Sequence, residues 1–146
     1  MIKTRHHPLF LITPMLAISL IACSSLPYNR LKTPSINGTI NINNEAAQGL
    51  EIFLSTRGED NLCYRASTTT RTGPEGEFNF QALKEKMTHE PIARYFLDEW
   101  NLCVEYNNQR IHLHSGNRYG IGSVNELLTL RCELNKAQLG KYCSIN

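Results

Sequence analysis

The chain has 146 residues, 41% of them hydrophobic and 19% charged, which is enough for one domain with a core and too little for two. Its formal charge of +2 comes from the first few residues, because without Lys3 and Arg5 the 15 basic residues fall to 13 and balance the 13 acidic ones. A neutral domain lacks the long-range attraction on which nucleic-acid binding depends, and it gives an anionic membrane surface little to pull on.

Lys3, Arg5, His6 and His7 form a basic head. Leu9 to Ile21 is an apolar stretch of roughly the 7 to 15 residues of a signal-peptide h-region, short for a bilayer span. Thr13 and Pro14 interrupt it, which further disfavours a spanning helix. The residues that follow, Leu20, Ile21, Ala22 and Cys23, resemble the bacterial lipobox, in which a small residue precedes a cysteine that receives a diacylglycerol thioether before cleavage. A thiol is the soft nucleophile that lipid transfer needs, and a small residue before it lets the peptidase reach the bond.

The resemblance implies that residues 1–22 are a lipoprotein signal peptide and that Cys23 becomes the first mature residue, carrying acyl chains such as palmitate. Two or more chains are what stable anchoring takes. Ser24, in place of an aspartate, resembles the pattern of lipoproteins sent to the outer membrane, so the expected address is the bacterial cell envelope, facing the periplasm. Residues 23–34, polar and proline-bearing, are read as a lipidated tether without a fold of its own, and residues 35–146 as the domain.

From Ser35 the pattern has period two. Ile36, Ile40 and Ile42 alternate with Asn37, Thr39 and Asn41, the run NNEAAQG supplies a turn, and Leu50, Ile52 and Leu54 alternate with Glu51, Phe53 and Ser55. Leu62 to Thr72 reads as a third, bulged strand, and TGPEGEF as a turn into Phe78 and Phe80. Residues 82–99 break the alternation. ALKEKM and PIARYFLDEW have helical composition, with Pro91 suited to a first turn, which predicts one short helix. Trp100 to Tyr106, an Asn107-Asn108 turn and Gln109 to His114 form a hairpin, and the loop SGNRYGIGS leads to a last strand, Leu127 to Leu134. Seven short strands with turns between them and one helix predict an all-β, antiparallel sandwich of two packed sheets.

With Cys23 assigned to lipid, Cys63, Cys103, Cys132 and Cys143 remain, an even set in an exported chain, where an oxidising compartment favours disulfides. Strand parity selects among the three connectivities. Cys103 is out of phase with Trp100, Leu102, Val104 and Tyr106, and Cys63 is out of phase with Leu62, Tyr64 and Ala66, so both are expected on a solvent-side face. Cys132 is in phase with Leu128, Leu130 and Leu134 and points inward, with Cys143 a short loop away. The expected pairs are Cys63 with Cys103 and Cys132 with Cys143. Zinc is the competing reading, but neither a C-x-x-C nor a suitable histidine pair supports it.

INGTININNEAAQGLEIFLS and TTTRTGPEGEFNF resemble the opening half of carboxypeptidase regulatory-like domains of the transthyretin-like superfamily. Ile36, Gly38 and Ile40 match that family's first strand element, Gly49, Ile52 and Leu54 the second, and Thr72, Gly76 and Phe78 the third. Gly73 stands where the family usually has aspartate. The resemblance spans residues 35–81 and implies a transthyretin-like sandwich in a mostly accessory family, with no active residues to carry over.

A search for chemistry finds little. His112 and His114, two apart on a strand, are expected on one outer face beside Arg110, with Ile111 and Leu113 facing the core and no carboxylate or cysteine nearby to complete a metal shell. Ser55, Ser67, Ser115 and Ser123 sit in no nucleophile motif. GNRYGIG follows a strand without a helix to complete a phosphate-binding loop, which leaves Arg118 and Tyr119 as candidate binding residues together with His112 and His114. No cofactor, metal or catalytic residue is expected. The reading is a non-catalytic, lipid-anchored module that docks an envelope protein or a glycan on residues 115–126 or on an open sheet edge. The alternatives are a small envelope hydrolase or metal-dependent enzyme using the histidines, and an outer-membrane lipoprotein of a secretion apparatus.

Overall fold

The computed structural model describes residues 28–87, 97–119, 127–135 and 142–146. They form strands β1 (Tyr28–Leu31), β2 (Ser35–Ile42), β3 (Glu45–Ala46), β4 (Glu51–Ser55), β5 (Thr68–Arg71), β6 (Glu77–Phe80), β7 (Lys84–Met87), β8 (Leu97–Tyr106), β9 (Gln109–Tyr119), β10 (Leu127–Glu133) and β11 (Cys143–Ile145). The fold is all-β, with three open sheets: a ribbon of β1 and β7, a five-stranded sheet β11-β10-β2-β3 in which β6 also pairs with β2, and a four-stranded sheet β5-β4-β8-β9.

Alternation places one face of each larger sheet inward. Ile36 and Ile40 of β2, Phe78 and Phe80 of β6, and Leu130 and Cys132 of β10 join Ile52 and Leu54 of β4, Trp100, Leu102 and Val104 of β8, and Leu113 of β9 in one buried cluster. This is a sandwich-like core. Gly38 lies opposite Phe78, and a Cβ there would collide with that ring and with the Leu130 carbonyl. The glycine in the middle of β2 is thus a packing requirement of the phenylalanine on the adjacent strand β6.

At the turn before β6, Gly76 holds a φ of 73° and a Cβ on it would strike the Ile40 carbonyl. The Glu77 carboxylate accepts from the Glu75 amide at 2.8 Å and occupies the space a Gly73 side chain would need. A turn acceptor is therefore present, supplied from Glu77 instead of from position 73.

Several sequence expectations change. The strands number eleven among the described residues instead of seven, and β10 runs parallel to β2, with Ser35 opposite Leu127, so the sheets are not wholly antiparallel. Lys84–Met87 and Leu97–Glu99, expected as helical, are strand, while residues 88–96 lie outside the described residues. Lys84 and Lys86 show that helical composition yields to pairing when a partner strand is available. Leu62 to Ser67 is not strand, because Cys63 adopts a φ of 52° and the Asp60 carboxylate draws the Tyr64 and Arg65 amides into a turn. Ser115 to Tyr119, expected as loop, continues β9.

Residues 28–34 also depart from the fold-free tether expected there. β1 pairs with β7, Leu31 and Thr33 are buried, and Arg30 forms a two-point pair with Asp98, its Nε donating to Oδ2 at 3.0 Å and its Nη2 to Oδ1. The two side chains are 9% and 7% exposed, so the pair fastens β1 to the start of β8 from inside.

Candidate functional site

On β8, Trp100, Leu102 and Val104 face the core, so Asn101, Cys103 and Glu105 fall on the opposite face of the four-stranded sheet. That face is not open to solvent. Residues 56–67 fold across it, and Cys63 and Cys103 form a disulfide with 6.1 Å between their Cα atoms. Both cysteines are fully buried, against Phe53 and Ala66. The expected pair is present, but the solvent-side placement is corrected: the loop supplies a second cover over the sheet. Cys132 and Cys143 form the other disulfide, directly opposite one another on β10 and β11.

Polar groups hold the loop in addition to the sulfur bridge. Asp60 accepts from the Tyr64 amide at 2.9 Å, the Arg65 amide at 2.7 Å and the Ser55 hydroxyl at 3.1 Å. Desolvation pushes the Asp60 carboxyl up, but the Arg65 and Tyr64 amides, the Ser55 hydroxyl and the Arg65 charge together outweigh it and hold it below its ordinary value. Asn101 is buried and donates from Nδ2 to the carbonyls of Arg57 at 2.9 Å and Gly58 at 3.1 Å. Arg110 donates from Nη1 to the Cys63 carbonyl at 3.0 Å and from Nη2 to Glu105 at 3.3 Å. Its guanidinium lies 3.4 Å from the Phe53 ring centroid and 5.9 Å from that of Tyr64. The loop thus presents a rigid tip on which Tyr64 is 74% exposed and Leu62 partly so.

Beside the loop lies a cleft of about 250 Å³ whose lining includes Gly58 and Asn61 of the loop, Glu99, Trp100 and Asn101 of β8, and Ser115, Gly116 and Asn117 of β9. Its polar side chains are amides, one hydroxyl and one carboxylate, suited to hydrogen bonding.

The two histidines do not share a face. A bulge interrupts the β8–β9 register, so that Leu102 opposes His114 and Cys103 opposes His112, with Leu113 as the extra residue. His112 therefore lies on the loop-covered face. His114 turns to the core side, its ring 5.6 Å from that of Trp100. Among the described residues no group of three His, Cys, Asp or Glu side chains is placed to hold a metal. Arg118 and Tyr119 belong to β9 through their backbones, opposite Asp98 and Leu97, and their side chains lie outside the described residues, as do Cys23 and residues 120–126.

His112 carries a prediction of its own. Its Nε2 is buried with no partner among the described residues, and burial lowers its pKa against a smaller upward pull from the His114 backbone. Because the folded state takes up its proton less readily than the unfolded chain, the favourable contribution is complete above about pH 6.5 and is lost as the pH falls below that value. Denaturant midpoints measured between pH 5 and 8 should decline on the acid side, and His112→Gln should flatten that decline.

The contacts of Asp60, Asn101 and Arg110 and the Arg30–Asp98 pair escape a reading of the sequence, which places Arg110 only on an outer face beside the histidines, because their partners are distant in the chain or are backbone groups. The one local signal is Asp60 within the polar run RGEDN, an Asx-type turn former ahead of a cysteine. The chain matches no protein-family model, and no curated protein matches it.

Proposed function

We propose that this chain is an exported bacterial lipoprotein, acylated on Cys23 and held at the outer membrane facing the periplasm, whose domain binds a partner and performs no catalysis. The observation that carries the reading is the cysteine arithmetic. The other four cysteines form two disulfides among themselves, which leaves Cys23 as the odd thiol, at the end of an apolar run and after a small residue. Disulfides of this kind accord with an oxidising compartment.

The domain is read as transthyretin-like, of the carboxypeptidase regulatory-like kind, with support from the packing of Gly38 under Phe78 and the positive φ of Gly76. The binding surface is the loop tip at Leu62 and Tyr64 with the neighbouring polar cleft, a rigid platform suited to an envelope protein or a glycan. The edge of β9, which pairs with no other strand among the described residues, extends it.

The test is the intact mass of the protein recovered from its native membranes. The expected product begins at Cys23 and bears a diacylglycerol and an acyl chain, and Cys23→Ser should remain unprocessed and without lipid. A mass equal to that of the unmodified chain would overturn the reading.

A further inference from the structure

The domain is neutral as a whole, and its exposed arginines among the described residues, Arg57, Arg65, Arg71 and Arg131, are spread over the 56–67 loop, β5 and β10, but its lysines are gathered in one place. Every lysine among the described residues, Lys32, Lys84 and Lys86, belongs to the β1–β7 ribbon or adjoins it. Lys32 is engaged, reaching Glu85 at 3.4 Å and Asp98 at 3.6 Å. Lys84 and Lys86 are exposed, two apart on β7 and so on the same face, and neither forms an ion pair among the described residues.

β1 of the same ribbon is the described strand nearest to Cys23 in the sequence. Five residue steps separate Cys23 from Tyr28, which fully extended span at most about 18 Å. β1 cannot lengthen this leash by peeling away, because Arg30 is held by Asp98 and Leu31 and Thr33 are buried. From Asp98, β8 runs eight residues to Tyr106, about 27 Å of strand, and ends in the Asn107-Asn108 turn. The molecule therefore has a near end, at the ribbon, and a far end, at that turn.

We propose that the β1–β7 ribbon is a membrane-contacting surface, with Lys84 and Lys86 seated on anionic phospholipid headgroups as a second attachment beside the lipid on Cys23. This rests on the lipoprotein reading for the leash and on the exposed lysines for the contact. The acyl chains on Cys23 would hold the protein at the bilayer without fixing which face meets it, and basic groups at the surface add attraction to anionic headgroups, by about five-fold in partition for each lysine. Lysines on an open edge also guard against strand pairing with other chains, and that role alone requires no lipid.

The experiment places the acylated protein in bilayer discs of phosphatidylcholine and phosphatidylglycerol doped with a nitroxide-headgroup lipid and records broadening of amide signals. Strong broadening is expected at residues 29–32 and 84–87, and little at Asn107 and Asn108. In Lys84→Gln/Lys86→Gln the contrast should collapse as the domain tumbles on its leash. Uniform broadening, strongest broadening at the far turn, or a pattern unchanged in the double variant would overturn the proposal while leaving the acylation reading intact. The mass of the same preparation checks acylation separately. If Cys23 proves unmodified, that preparation is sedimented with phosphatidylglycerol and with phosphatidylcholine vesicles. Preference for the former, reduced about five-fold per lysine replaced, supports the contact, and equal partition overturns it.

Discussion

Replacing both Cys63 and Cys103 by alanine is expected to destabilise the domain by about 4 kcal/mol, the chain-entropy value for releasing a closure of this length. The same substitution at Cys132 and Cys143, whose separation is 11 instead of 40, should cost closer to 3 kcal/mol. Denaturant titration of the two double variants would show this order. The effects should also differ in place. Without the first bridge, residues 56–67 keep Asp60 and the Arg110 contacts but lose their covalent tie to β8, so amide exchange should rise over Tyr64 and Arg65 before it rises in β4. Equal stability losses, or exchange rising first within the core strands, would show that the loop is not held as described.

Asp98→Ala is expected to cost about 3 to 5 kcal/mol, because it takes from the buried Arg30 guanidinium the carboxylate that receives its Nε and Nη2. The large effect reflects the desolvated charge deprived of that carboxylate, not the net worth of the pair. The double variant Arg30→Met/Asp98→Leu should therefore recover most of the loss, since an apolar pair of similar volume needs no partner. Thermal and denaturant unfolding of the three proteins would test this. In Asp98→Ala the amides of β1 should exchange faster than those of β2, since the strand is then held chiefly by its short pairing with β7, by the burial of Leu31 and Thr33 and by the bonds of Lys32 and Thr33 to Leu83. A double variant as unstable as the single one would indicate that the guanidinium also serves another group.

What the sequence shows in advance follows the reach of parity. β2, β4, β6, β8 and β10 bury alternate residues against a single core, and the alternation of Ile36, Ile40, Ile52, Leu54, Phe78, Phe80, Leu102, Val104 and Leu130 announces them. β1 and β7 escape because their inward groups include Arg30, buried by a partner 68 residues away, and because Lys84 and Lys86 make β7 read as a solvated helix. The loop over the outer face escapes because Asp60 organises it through backbone amides, which carry no residue identity. At His112 and His114 parity itself misleads: one extra residue in β9 reverses the face of everything beyond it, and a bulge leaves no trace in composition.

The parallel pairing of β2 with β10 has a bearing on how the chain folds. β2 is the middle strand of its sheet, yet one of its neighbours is made from residues near the opposite terminus. Local hairpins can form early, but the centre of the molecule stays unfinished until the final strands are present, with a large loop to close first. Such a polypeptide keeps its central strand half-paired until residues 127–133 are available, a property that would suit the export proposed above, in which the chain crosses a membrane before it folds.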